Sequence, residues 1–283
     1  MRLNKLLFLA AGIILPGGVS AWAQDNVVTQ TNIVTVTVTN IVTITNVVAP
    51  KVEVLKPVAG DKIKTVVKYP WDSSICAGLT LTRGNSDTLL ATVKFLTDKK
   101  TPVNEYSLGA DAAYGSASGV ENNDTYHAFG QWNHLFSEKW YSYLRGEGLH
   151  DGIAQVKYRF TLTSGLGYYF IKATNTTLAV EVGPGVVWER VGVEDNTYAT
   201  LRIGERFEHK FLHNAARVWE TAEILPQIDK PSDFIVNAEI GVESALYKNL
   251  SLQVYLDDTY NTEPAAGFRR NDVKLVSGIT YKF

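Results

Sequence analysis

The chain has 283 residues, a formal charge of −2, 45% hydrophobic and 20% charged residues, and one cysteine, Cys76. No basic block stands out, so nucleic acid is not an expected partner, and a single thiol excludes both an intramolecular disulfide and a cysteine cluster for metal. This ordinary composition does not exclude a membrane β-barrel, because every second residue of such a strand faces the lumen and is polar.

Residues 1–23 read as a secretory signal. Arg2 and Lys5 give a positive start, Leu6 to Leu15 an apolar run, and Ala21-Trp22-Ala23 a small-x-small cleavage site, so the mature chain is expected to begin near Gln24. The run is too short, and too broken by Pro16-Gly17-Gly18, for a spanning helix. No cysteine follows the cleavage site, which disfavours a lipid anchor.

Residues 24–70 form a low-complexity arm and linker. Thr31-Asn32-Ile33-Val34-Thr35-Val36-Thr37-Val38 is nearly repeated by Thr39-Asn40-Ile41-Val42-Thr43-Ile44-Thr45-Asn46, and no charge lies between Asn26 and Pro50. β-Branched residues favour an extended state over a helix. Two readings stand: a loose linker, or a strand-forming arm for residues 26–48 that pairs with itself or a partner. Residues 51–70, with lysines and with Pro57 and Pro70, read as a tether.

From Trp71 the pattern becomes alternating segments of about ten residues separated by turn signals, the signature of a membrane β-barrel. Strands are expected near 72–83, 88–97, 104–115, 124–136, 140–149, 155–170, 177–190, 197–211, 216–225, 233–246, 250–259 and 272–283. The clearest sets Phe234, Val236, Ala238, Ile240 and Val242 against Asn237, Glu239, Gly241 and Glu243. About twelve strands is an even count, and about ten tilted residues span an apolar band near 25 Å. Turns at 137–139, 172–175 and 247–249 are short; those at 115–123, 227–232 and 261–271 are longer and fall at the other end. Turn 84–87 is a short exception. The last strand sets Val273, Leu275, Ile279, Tyr281 and Phe283 against Lys274, Thr280 and Lys282, and its aromatic end is one that outer-membrane barrels often share. The expected fold is an all-β, antiparallel transmembrane barrel of about twelve strands over 71–283.

Alternation also assigns a lumen-facing charge set: Lys94, Asp111, Arg145, Glu147, Lys157, Arg159, Glu181, Glu189, Arg202, Arg206, Glu208, Glu239, Glu243 and Lys274. A ring of one sign would mark an ion-selective constriction. Mixed signs point instead to paired networks that fill or narrow the lumen. His127 and His134 lie at an odd spacing and point to opposite faces; the histidines read as polar tips and turn residues, with no metal or cofactor expected. His150, near the outer end of its strand, is the one candidate base for a lipid hydrolase, and no motif supports it. Gly165, Gly167, Gly183 and Gly185 permit sharp curvature and leave space for a bulky neighbour such as Tyr169. Trp71, Trp132, Trp140, Tyr141, Trp188 and Tyr281 read as an aromatic girdle. Asp257, Asp258, Glu263 and Asp272 read as a solvated loop balanced by Arg269 and Arg270 rather than a Ca²⁺ site.

The stretch Gly78-Leu79-Thr80-Leu81-Thr82-Arg83-Gly84-Asn85-Ser86-Asp87-Thr88 resembles a family of salt-induced outer-membrane proteins. So does the closing part, from Tyr255 to Asp257, through Thr262-Glu263-Pro264 and Asn271-Asp272, to Tyr281-Lys282-Phe283. The resemblance covers about 71–283; the arm at 26–48 lies outside the family's typical pattern. It implies an outer-membrane location, induction by salt or envelope stress and no established chemistry. It also implies that Ile279, Tyr281 and Phe283 are an assembly signal read by the barrel-insertion machinery. The expected protein is a monomer in outer-membrane lipid, acting as a structural barrel or narrow passive pore. The alternatives are a lipid hydrolase, or an adhesion or assembly module that meets a partner through the arm.

Overall fold

The computed structural model describes residues 52–53, 66–82 and 88–283. The expected signal peptide, nearly all of the arm and the 84–87 turn lie outside the described residues. Before the barrel, β1 (Val52–Glu53) pairs antiparallel with β2 (Val66–Val67).

Alternating residues from Asp72 onward build β3 (Asp72–Thr82), β4 (Thr88–Lys100), β5 (Asn104–Ala117), β6 (Val120–Leu135), β7 (Trp140–Asp151) and β8 (Val156–Lys172). They continue as β9 (Thr176–Val191), β10 (Glu194–Phe211), β11 (Ala216–Pro226), β12 (Phe234–Tyr247), β13 (Leu250–Asn261) and β14 (Asn271–Lys282). All pair antiparallel with their chain neighbours, and β14 returns to β3 to close the barrel. Closure removes the free edges that a sheet cannot expose to hydrocarbon.

The two faces of the wall separate by residue type. Leu108, Leu166, Val182, Ile203, Val242, Leu252, Leu275 and Ile279 are exposed on the outside. Their inward neighbours are polar or aromatic: Gln131, Glu181, Arg202, Gln253 and Tyr255 are buried. This inversion of a soluble protein fits a lipid-facing exterior. Trp71, Trp132, Trp140, Trp188 and Tyr281 are exposed, but Tyr141 leaves the expected girdle: it is 0% exposed, inside the barrel. Trp140 holds the outward position, so period 2 turns its neighbour inward.

Strand lengths are uneven. β8, β9 and β10 have 17, 16 and 18 residues, whereas β3, β13 and β14 have 11, 12 and 12. Residues 115–123 are not a long loop. β5 and β6 continue through a bulge at Gly115/Ser116 to a two-residue turn, where Ser118 (φ 52°) and Gly119 (φ 79°) are both left-handed. That geometry matches the twist of a hairpin. Polar side chains did not mark a loop here because a strand rising past the apolar band needs no apolar face. Loops remain at 227–233 and 262–270, the latter between β13 and β14.

Glycines set the curvature of β8 against β9. A Cβ on Gly165 would lie 2.1 Å from Val182 O, and one on Gly183 2.1 Å from Ser164 O. The backbones therefore approach more closely than any side chain allows. The room at Gly167 is filled by Tyr141, not Tyr169; a Cβ there would lie 2.2 Å from Tyr141 Cζ.

Candidate functional site: a charged lumen

The inward side chains form one chain of contacts around the wall. His127 on β6 bonds Asp111 Oδ1 of β5 through Nδ1 and Glu147 Oε1 of β7 through Nε2, both at 2.9 Å. Arg145 Nη2 donates to Glu147 Oε2 at 2.8 Å, and Arg145 Nη1 to Gln131 Oε1 at 3.4 Å. Gln131 Nε2 and Tyr141 OH both donate to Glu181 Oε1, at 2.7 and 2.8 Å. Arg202 bridges Glu181 Oε2 and Glu223 Oε2 at 2.7 Å each, and Asn237 Nδ2 donates to Glu223 at 2.9 Å. Arg206 Nη2 lies 3.6 Å from Glu181. Glu181 thus meets two cations and two neutral donors, the satisfaction a buried carboxylate requires.

Other contacts cross the lumen. Lys94 Nζ on β4 reaches Glu239 on β12 at 2.5 Å, and Trp219 Nε1 donates to the same carboxylate at 2.8 Å. Three strands, β13, β14 and β3, lie between β12 and β4 on the short way round. Near the end where β3 begins, Glu105 on β5 accepts from Tyr169 OH at 2.5 Å and Lys172 Nζ at 3.3 Å, both on β8. Toward the far end, Lys274 Nζ on β14 donates to Thr125 Oγ1 on β6 at 3.3 Å. Side chains therefore bridge strands three or four places apart in the ring at three levels. Arg159 Nε pairs with Glu189 at 2.5 Å, and Arg217 joins Glu208 at 3.1 Å to Glu243 at 2.8 Å. Lys282 also pairs with Glu243.

Of the fourteen charges assigned to the lumen by alternation, Lys157 is exposed and stands apart. The register of β8 shifts between Val156 and Tyr158, so Lys157 sits in a bulge that breaks the two-residue period. His127 is not a polar tip but a bridge between carboxylates. Asp257 and Asp258 lie on β13 and Asp272 on β14 rather than in the loop, with Asp272 exposed. Glu263, in the loop, pairs with Lys230 at 2.7 Å. His150 is half exposed; its Nδ1 bonds Lys157 O at 2.8 Å, and its Nε2 lies 3.8 Å from Asp124. Among the described residues no three His, Cys, Asp or Glu side chains are placed to hold a metal ion.

Sequence reasoning missed Glu105, Arg217, Glu223 and the inward Tyr143 and Trp219, while Tyr169, named there as a bulky neighbour of the glycines, is buried inside. The signal was present: Glu105 shares parity with Asp111, and Arg217 and Glu223 share it with Trp219. The interior holds a cavity of about 420 Å³ among Lys94, Asp111, Glu181, Arg206, Tyr255 and Lys274, and adjoining it, with Arg145, Arg159 and Arg202 lining both, a smaller space of about 30 Å³.

Residues 75–283 match the family described as "Protein of unknown function, DUF481". Uncharacterized protein YdiY of Escherichia coli (strain K12) is 23% identical over 223 residues, covering 74% of this chain and 84% of that protein. Among solved structures, NanC porin is similar with 5% identity and a TM-score of 0.46 over 75% of this chain and 100% of that one. KdgM porin is similar with 8% identity and a TM-score of 0.43 over 76% and 99%. A closed barrel with an apolar exterior and a charged interior suits a bilayer. The chain is a closed antiparallel β-barrel of the transmembrane kind.

Proposed function

The chain belongs to the DUF481 family of proteins of unknown function, and for this member we propose a non-enzymatic role as a narrow passive pore whose side chains keep the lumen nearly closed. The observation that carries this reading is the narrowing of the interior at three levels by contacts between non-neighbouring strands, of Glu105 with Tyr169 and Lys172, of Lys94 with Glu239, and of Lys274 with Thr125. Mixed charges that neutralise one another leave no single-sign ring to select ions. The resemblance to salt-induced proteins supports a part in salt or envelope stress. His150 Nε2, the nitrogen that would act as base, has a carboxylate of Asp124 at 3.8 Å rather than a hydroxyl nucleophile, which supports a non-catalytic reading.

Purified protein in planar bilayers should give small or no steady conductance, and removing both Lys94 and Glu239 side chains to Ala should raise it. Large stable steps from the unaltered protein would reject the closed reading. Phospholipid cleavage lost on His150→Ala would replace it with the hydrolase reading.

The monomeric state, recognition by the insertion machinery and a partner for residues 26–48 belong to the same proposal. Phe283 exchanges backbone bonds with Ser73 at 2.9 and 3.3 Å, and its ring stacks on Tyr281 at 5.9 Å. Deleting Phe283 should lower membrane levels several-fold, and normal levels would count against an assembly role. Deleting 26–48 should abolish any crosslinked partner without unfolding the barrel.

A further inference from the structure

We propose that the unpaired half of the seam between β14 and β3 is a lateral binding site for one hydrocarbon tail of a membrane lipid. Among the described residues, register pairs across this seam end at Ile279–Ala77, yet both strands run on toward the far end, β3 to Thr82 and β14 from Asn271. Each keeps its other neighbour over that stretch: β3 pairs with β4 as far as Thr82–Thr88, and β14 with β13 as far as Asn271–Tyr260. Two strand edges therefore face each other without register pairs, flanked outside by the exposed apolar Leu79, Val273 and Leu275. Unpaired backbone is costly against hydrocarbon, so the wall is weakest there and parts most readily there. Behind this stretch the lumen changes character. Trp219 on β11, Gly241 on β12, Tyr255 on β13 and Val276 on β14 are successive register partners, so they lie on one level. Trp219, Tyr255 and Val276 are buried together in one apolar cluster, and the Trp219 ring covers Gly241, where a Cβ would lie 2.1 Å from Cζ2. Continuing the register of Ile279–Ala77, the next position on that level is Thr80 of β3, inside the unpaired stretch. An apolar shelf in an otherwise charged lumen thus ends at the weak seam, with apolar lipid on the other side. Three strand spacings of ~4.8 Å make the shelf about 14 Å long and one side chain deep, which suits a single tail. Trp219 and Tyr255 also line the large cavity, which leaves space over the shelf. Lys94, 4.7 Å over the Tyr255 ring, is already paired with Glu239, so recognition falls to the tail and not to a headgroup. The inference rests on the barrel standing in a bilayer and is independent of whether the lumen conducts.

The test places folded full-length protein in phosphatidylcholine vesicles whose lipid carries a diazirine midway along one acyl chain, and maps the photo-adducts by peptide mass spectrometry. Adducts are expected on the inward Trp219, Tyr255 or Val276 as well as on the outward Leu256 and Leu275. Leu79 and Ser277 would stand opposite each other if the register continued, so Leu79→Cys with Ser277→Cys, in a Cys76→Ser background, should lock the seam when oxidised. Locking should cut the inward adducts several-fold, leave the outward ones unchanged, and be reversed by a reductant. Outward adducts alone overturn the inference, as do inward adducts that survive locking. Disulfide-linked dimers of Leu79→Cys in place of inward adducts would assign the edges to a second copy and also overturn it. Absence of outward adducts as well would overturn the bilayer reading, and the inference with it. The first comparison needs only the unaltered protein, so it decides the matter even if the cysteine pair fails to form.

Discussion

Two pairs of glycines face each other across neighbouring strands, and the barrel treats them differently. At Gly165 and Gly183, β8 and β9 touch backbone to backbone, yet the ladder resumes on both sides, at Thr163–Gly185 and at Leu166–Val182. At Gly78 and Gly278, β3 and β14 also come close: a Cβ on Gly78 would lie 2.5 Å from Ser277 O. There the ladder stops. Among the described residues, register pairs run only from Lys282–Ser74 to Ile279–Ala77, extended by the Ser73–Phe283 bonds. The difference lies in what surrounds each pair. β8 and β9 are joined by a short turn at 173–175 and backed by Tyr141 and Glu181, whereas β14 and β3 are the two ends of the barrel sequence. No turn holds them in register, and closing so long a loop carries the largest entropy cost. A glycine pair permits a close crossing; neighbouring connections decide whether pairing survives it.

The largest expected effect tests the tight crossing. Gly165→Ala puts a methyl group 2.1 Å from a backbone oxygen and 2.6 Å from Gly183 Cα. No rotamer relieves that overlap, so a loss of about 3 kcal/mol or failure to fold is expected, read as loss of the heat-modifiable band on cold gels. Next, Glu181→Gln keeps the shape but removes the charge that Arg202 and Arg206 share. In a partly wet lumen this should cost about 2 kcal/mol in urea unfolding. Gly78→Ala at the seam should cost only about 1 kcal/mol, because the strands there are free to move apart. Equal losses for Gly78→Ala and Gly165→Ala would erase the contrast.

The smallest effect concerns the loops beside the seam, where Lys230 pairs with Asp233 at 2.6 Å and with Glu263 at 2.7 Å. Lys230 holds the Asp233 carboxyl below the ordinary aspartate range. The clasp's contribution is therefore complete above the unfolded-state value near ~3.9 and is lost as pH falls through the lower folded-state value. Protease nicking of residues 227–233 should stay constant from neutral pH to about 4 and rise only below it. Nicking that rises near pH 6 would show that Asp233 is not the group responsible.

Much of this barrel was legible because period 2 survives averaging. Val242 and Glu243, or Leu252 and Gln253, declare opposite faces without any structure. Lys157 shows where legibility ends: a bulge shifts parity, and neither residue at Val156 or Tyr158 announces it. Tyr141 was misplaced by type, since aromatic residues were assigned to the interface before parity was applied. The pairing of charges was harder still. Lys94 and Glu239 are 145 positions apart, and only the way round the barrel tells which acid an inward lysine can reach.

The unequal strands give the far rim a slope. At ~3.3 Å per residue and a tilt of ~40°, the 18 residues of β10 reach about 45 Å along the axis and the 12 of β14 about 30 Å. On the tall side, Arg190, Asp195 and Tyr158 interlock on exposed backbone above Trp188. An arriving molecule meets extended strands over β8–β10 and the 262–270 loop over β13–β14. Encounters from outside should be lopsided, meeting rigid strand on one side and loop on the other.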